Sequence, residues 1–212
     1  KTGTPVVTVL ATGSAMRVTE GNAILWTGYP GQAGGRALAD LLFGKLSPSG
    51  KLPVTFYHSE RDLPDFTDYS MKNRTYRYYL GETLYPFGFG LSYTEFKLDF
   101  PVYNNHAVEV GISNVGAMKG DEVVQVYVRN HHDSAPPHPV LCGFQRVSLK
   151  AGETKALRLP LDPDAFTVVL EDGSRQPVTG GSTLYVGTSQ PDARSQALTG
   201  QSSHELHLTG DN

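Results

Sequence analysis

The stretch YPFGFGLSYTEF, Tyr85–Phe96, divides the chain. Five of its residues are aromatic, and Pro86, Gly88 and Gly90 punctuate it. The hydrophobic pattern on its two sides belongs to two different kinds of fold.

From Phe96 onward the pattern has period two. Val108, Val110 and Ile112 alternate with Glu109 and Gly111, and Val124, Val126 and Val128 with Gln125 and Tyr127. Leu157, Leu159 and Leu161 follow the same rule, as do Leu184 with Val186 and Leu206 with Leu208. Alternation at this spacing marks strands with one apolar face. Turn signals separate the runs: NVG at Asn114, KAGET at Lys150 and EDGS at Glu171, whose Asp172-Gly173 pair suits a tight hairpin. About seven short strands over residues 96–212 predict an all-β sandwich of immunoglobulin type.

Before Tyr85 the grammar changes. Val6–Leu10 and Ile24–Trp26 are continuous apolar runs, which suit strands of a parallel sheet covered on both faces. Ala33, Ala37, Leu38, Leu41 and Leu42 recur at helical spacing, with Gly44 as the stop. Strand, strand, helix over residues 1–60 is α/β in character, yet too short to cover both faces of such a sheet. It reads as the end of a larger α/β domain. The chain opens on Lys1 and runs directly into a strand, the expected beginning where a segment lies upstream. Residues 61–95 lose all period while staying rich in Pro, Gly, Asp and rings. They predict a structured linker whose aromatics dock onto neighbouring domains, since disordered segments are poor in aromatics.

Composition narrows the function. With 212 residues, 39% hydrophobic and 18% charged, the chain is long enough for one large domain or two small ones. A net charge of −3 argues against a nucleic-acid partner, which needs a basic stripe along the phosphates. No apolar run reaches the roughly 18 residues of a membrane span. Cys142 is the single cysteine, so no intrachain disulfide forms, and a buried structural thiol is its expected role.

Several local groupings invite a chemical reading. GYPGQAGGRALADLLFG places glycines before a helix, as anion sites do, but has neither Walker spacing nor a Lys-Ser/Thr pair, and reads as a tight turn. His131, His132, Asp133 and His138 lie in a Pro-rich stretch with no helix or strand to set zinc geometry, and read as a solvated loop. ATGSAM around Ser14 is not a nucleophile elbow. Asn73-Arg74-Thr75 is a glycosylation sequon, a triplet frequent by chance. Glu60, Asp62, Asp65, Asp68 and Glu82 show no spacing that marks a pair of catalytic carboxylates, and read as solvated linker charges. Arg74, Tyr76, Arg77, Tyr78 and Tyr79 have the rings and guanidinium groups that carbohydrate sites use. Tyr and Arg also anchor interfaces, and the interface reading is preferred.

Four segments in this order, YPGQAGGRALADLLFGKLSPSGKLPVTFY, LPDFTDYSMKNRTYRYYLGETLYPFGFGLSYTEF, NVGAMKGDEVVQVYV and GFQRVSLKAGET, resemble the C-terminal part of glycoside hydrolase family 3. The resemblance spans nearly the whole chain. It implies that residues 1–60 are the end of an α/β sandwich domain, 61–95 an interdomain linker and 96–212 a fibronectin type III-like sandwich. It also implies a retaining, exo-acting β-glucosidase or β-xylosidase whose nucleophilic Asp and acid/base Glu lie outside this chain. No catalytic residue is therefore assigned here, and the isolated chain is expected to be inactive. Arg74, Tyr76 and Arg77 become candidates for an active-site rim. No metal or organic cofactor is implied. The expected partners are the remainder of the enzyme (barrel and rest of the α/β domain), an oligosaccharide substrate, and a second copy in a homo-oligomer; neither nucleic acid nor membrane is expected. Location is left open between periplasmic or secreted and cytoplasmic. The alternative from another class is a non-catalytic carbohydrate-binding or adhesion-type β-sandwich module.

Overall fold

The computed structural model describes residues 3–210. Its first part contains the parallel pair β1 (Val7–Leu10) and β2 (Ala23–Trp26), in register Val7↔Ala23 to Leu10↔Trp26, followed by helix α1 (Gly34–Leu42). The apolar runs form the expected strands, and the segment is too short to cover them, as its length predicted. No described residue before Thr55 is buried. Val6, Val7, Leu42 and Phe43 are exposed, Phe43 at 81%.

The linker region is built from short elements. Strand β3 (Phe56–Tyr57) pairs antiparallel with β4 (Thr83–Tyr85); between them lie a 3-10 turn at Glu60–Asp62 and the one-turn helix α2 (Thr75–Tyr78). Ser59 and Asp62 cap the 3-10 turn reciprocally, the Ser59 side chain accepting from the backbone and Asp62 accepting from the Ser59 N–H. A segment this poor in buried residues holds its shape with polar side chains bonded to backbone.

From Phe96 the chain forms two packed antiparallel sheets. One contains β5 (Phe96–Leu98), β6 (Val102–Asn104), β7 (Ala107–Asn114) and β10 (Thr154–Pro160), with β7 central. The other runs β14 (His204–Leu208), β13 (Ser182–Gly187), β8 (Gly120–Asn130), β9 (Val140–Leu149). The hairpin β11 (Thr167–Val169) and β12 (Arg175–Pro177) and the helix α3 (Ala193–Thr199) complete the domain. Between the sheets lies one core, including Val108, Val110, Ile112, Val124, Val126, Leu159, Leu184 and Val186. These are the residues that alternation placed inside.

Among the described residues ten strands stand where about seven were expected. The additional ones, β6, β11 and β12, are three residues each and are specified by turns rather than by hydrophobic pattern. Asn105 and His106 both adopt left-handed backbone (φ 47 and 53), the twist a two-residue hairpin between β6 and β7 requires. The Asp172-Gly173 turn closes β11 onto β12, with Gly173 at φ 82 and Asp172 accepting from Ser174. At the NVG turn, buried Asn114 donates to the Met118 and Leu149 carbonyls and accepts from Thr94 and Gly116.

Alternation fails on β8. Gln125 and Tyr127, on the face opposite Val124 and Val126, are buried as well. Something outside the sandwich covers that face.

Candidate functional site

The cover is the aromatic seam. The rings of Tyr76 and Phe87 stack at 4.2 Å and 10°, and both meet Tyr127 edge-on, at 6.3 and 6.5 Å. Tyr127 donates its hydroxyl to Gln125 Oε1 at 2.6 Å. The Gln125 amide donates to the carbonyls of Gly88 at 3.0 Å and Thr188 at 2.9 Å. Gly88 must be glycine on two counts: its φ is 75, and a Cβ there would collide with the Gln125 amide oxygen and the Tyr127 hydroxyl. Burial raises the Tyr127 hydroxyl pKa well above the usual tyrosine value.

A second run of rings leads from the seam to the α/β segment. Trp26 on β2 meets Phe56 at 5.8 Å, Phe56 meets Tyr85 at 6.1 Å, and Tyr85 stacks with Phe89 at 5.8 Å. Polar ties reinforce it. Lys51 Nζ pairs with Glu122 Oε1 on β8 at 2.8 Å and donates to the Gly90 carbonyl at 3.0 Å. Ser47 and Ser92 share a hydroxyl contact of 2.7 Å, and Arg146 on β9 donates to Ser49 at 3.0 Å and Asp121 at 2.7 Å. Arg194 on α3 reaches back to the Leu84 carbonyl with two donors at 3.2 Å.

The rim candidates occupy different environments. Arg74 is clamped inside the linker, donating to the carbonyls of Asp65, Asp68 and Ser70. Tyr76 is held in its ring stack, and its hydroxyl accepts from the Leu141 N–H at 3.1 Å. Arg77 is exposed, its guanidinium 5.8 Å from the Tyr76 ring centre. Tyr79 is buried against Tyr57 at 4.7 Å, and burial, with the Asp62 carboxylate nearby, pushes its hydroxyl up to about 12. Tyr78 is half-buried.

The other groupings also find local roles. Asp65 and Asp68 accept from Thr67 and Ser70, which holds both carboxyls below the usual range. Asn73 Oδ1 accepts from the Leu80 N–H at 3.0 Å, so the sequon asparagine is part of the linker's own bonding. The histidines diverge: His131 contacts Thr183, His132 contacts Ser134 and Gln176, and His138 bonds the Tyr79 carbonyl at 2.8 Å. His138 thus belongs to the seam rather than to a solvated loop. Burial pushes the Cys142 thiol up to about 12, which leaves it a packing residue. Among the described residues no three His, Cys, Asp or Glu side chains converge to hold a metal ion.

Beside the seam, a cleft of about 600 Å³ opens between the α/β segment and the linker, lined by Met16, Arg17, Phe56, His58, Glu60 and Leu63. Lys51 was not singled out from the sequence; Gly88 appeared only as turn punctuation, and Gln125 and Tyr127 only as the alternate positions of a strand. The signal available was a Glu and a Gln inside the apolar run of β8.

The chain matches two family models, the Glycosyl hydrolase family 3 C-terminal domain over residues 1–93 and the Fibronectin type III-like domain over residues 122–190. It is similar to the xylan 1,4-beta-xylosidase of Xylanibacter ruminicola, 40% identical over 211 residues, covering 93% of this chain and 24% of the relative. The periplasmic beta-glucosidase of Salmonella typhimurium is 34% identical, covering 88% of this chain and 28% of that protein. The crystal structure of the Bifidobacterium adolescentis GH3 beta-glucosidase superposes with a TM-score of 0.81 at 35% identity, covering 97% of this chain and 33% of that one. The chain therefore spans about a quarter to a third of the length of these relatives.

Proposed function

This chain belongs to glycoside hydrolase family 3, and we propose that it is the bracing, non-catalytic C-terminal part of a retaining, exo-acting β-glycosidase. The complete enzyme removes terminal β-linked glucose or xylose from oligosaccharides. On this reading residues 1–60 complete an α/β sandwich, 61–95 are the linker and 96–212 the fibronectin type III-like domain. Retaining hydrolysis takes two carboxyl groups about 5–5.5 Å apart, one forming a glycosyl-enzyme bond and the other acting as acid, then base. Both lie in the remainder of the enzyme.

The observation that carries this reading is the contrast between the two ends. The sandwich has a closed core, whereas β1, β2 and α1 bury no residue and expose Val6, Val7, Leu42 and Phe43. An apolar surface of this kind is an interface awaiting its complement. The Lys51–Glu122 pair and the ring stack hold that surface at a set position relative to the sandwich. Arg77, exposed beside the seam, is the rim residue, while Arg74 and Tyr76 shape the linker that presents it.

The test is complementation. The 212-residue chain alone should hydrolyse neither aryl β-xyloside nor aryl β-glucoside. Mixed or co-expressed with a polypeptide carrying the barrel and the rest of the α/β domain, it should form a heterodimer by native mass spectrometry and gain turnover. Turnover by the pure chain would overturn the proposal, as would a complex that forms and stays inactive.

A further inference from the structure

The β-sandwich has an open side, where β5 ends one sheet and β14 ends the other. Between them lies a cleft of about 370 Å³, within the range of small-molecule sites. Its walls are Glu95–Leu98, Gly187 at the end of β13 with Thr188 and Ser189 after it, and the loop from Gly200 to Ser203 with His204 at the start of β14. It lies outside the seam and outside the cleft beside Glu60.

The lining has hydrogen-bonding capacity that the protein itself leaves unused. Ser189 is only 7% exposed, and its hydroxyl has no protein hydrogen bond although the residue lines the cleft. Among the described residues the hydroxyls of Thr188 and Ser203 and the imidazole of His204 have no hydrogen-bond partner either. These groups reach solvent and bond water there, which a ligand with matching donors and acceptors displaces. The one amide at the cleft, Gln201, donates to the Phe96 carbonyl at 3.2 Å. Phe100, 68% exposed, adjoins the lining through His204, the two rings 5.6 Å apart.

Each feature restricts the ligand. Lys97 and Glu95 face each other at 4.0 Å and cancel, so nothing here selects an anion or a cation. An apolar ligand would leave the hydroxyls unsatisfied. A peptide adding to β5 as a new strand needs the Phe96 carbonyl that Gln201 occupies. A compact molecule with many donors and acceptors and an apolar C–H face satisfies all of these constraints. The geometry points to an accessory binding site for a neutral pyranose: its hydroxyls bond Ser189, Ser203 and His204, and one ring face lies on Phe100. The choice of xylose- and glucose-configured sugars rests on the proposed function; occupation of the cleft by a neutral sugar does not.

Amide NMR of the 212-residue chain, titrated with xylotriose and cellotriose, tests this without any need for activity. Shifts should concentrate at residues 95–98, 187–189 and 200–204. Phe100→Ala should weaken binding about three- to tenfold, the worth of an aromatic face. Ser189→Ala should weaken it by a comparable factor through one lost hydrogen bond. Phe144→Ala, on the exposed face of β9, should change nothing, and circular dichroism should show all three variants folded. No shifts at millimolar sugar would overturn the proposal. So would shifts that survive both cleft substitutions, or a response to extended peptides and not to sugars. An inactive complemented enzyme whose chain still shows these shifts would sink only the glycosidase reading.

Discussion

Lys51 Nζ lies 2.8 Å from Glu122 Oε1, and the two side chains are only 11% and 8% exposed. Lys51 belongs to the segment matched by the C-terminal domain model, while Glu122 opens the stretch matched by the fibronectin type III-like model. The pair thus crosses from one family unit to the other. Glu122 Oε1 also accepts the Val123 N–H at 2.7 Å, and Lys51 also donates to the Gly90 carbonyl. A buried ion pair with its remaining valences satisfied is costly to break from one side, because the charge left behind has no partner.

Lys51→Met and Glu122→Gln should each lower stability by about 3 kcal/mol or more. The double substitution should cost less than the sum of the two. Denaturant unfolding monitored by circular dichroism reads all three. Additive losses would show that the two residues act independently.

Gly88→Ala should open the seam. The substitution combines a left-handed backbone with a collision against Gln125 and Tyr127, and a loss of about 2 kcal/mol or more is expected. Tyr127→Phe is gentler. It removes the donor to Gln125 Oε1 and leaves a buried acceptor unpaired, worth about 1–3 kcal/mol.

Alkaline pH should loosen the same joint. Tyr79 has its pKa raised from 10.0 to about 12 by burial first and by Asp62 next, and Tyr127 is raised well above 10.0 by burial. For a group whose folded pKa is raised, stability is intact below the unfolded value and falls as pH climbs toward the folded one. Unfolding should therefore become easier from about pH 10 upward. Tyrosinate absorbance should show these two rings ionising last, together with the loss of structure. Early ionisation in a still-folded chain would contradict their burial.

The linker loop should respond at the acid end. Asp65 is held down by the Thr67 hydroxyl and N–H, and Asp68 by the Ser70 N–H, so each favours the ordered loop while ionised. Their contribution is present above the ordinary carboxylate value of 3.8 and is lost as pH falls through the lowered values. Amide signals of Thr67 and Ser70 should stay in place down through that ordinary range and move only below it.

Hydrogen exchange should divide the chain. The amides of β7, β8 and β13 should be protected to near the global stability, while those of β1, β2 and α1 exchange quickly in the isolated chain. Protection of β1 and β2 equal to that of β8 would show that the α/β segment is stable without a complement.

The primary structure by itself determined the sandwich, because a strand with one apolar face writes that face into every second residue. Val108, Val110 and Ile112 lie in the core for this reason. It also determined the α/β character of the first part and the motif order that marks the family. The short strands β6, β11 and β12 were not legible, since turn geometry at Asn105-His106 and around Gly173 creates them, with little hydrophobic pattern to betray them. Only the tertiary structure decided what the seam does. The sequence presents Tyr76, Phe87 and Tyr127 as three rings far apart along the chain, and folding stacks them into one joint. Gln125 reads as a solvent-facing position of β8. It is buried because residues 86–90 fold back over that face, and contacts between distant segments leave no period in a sequence.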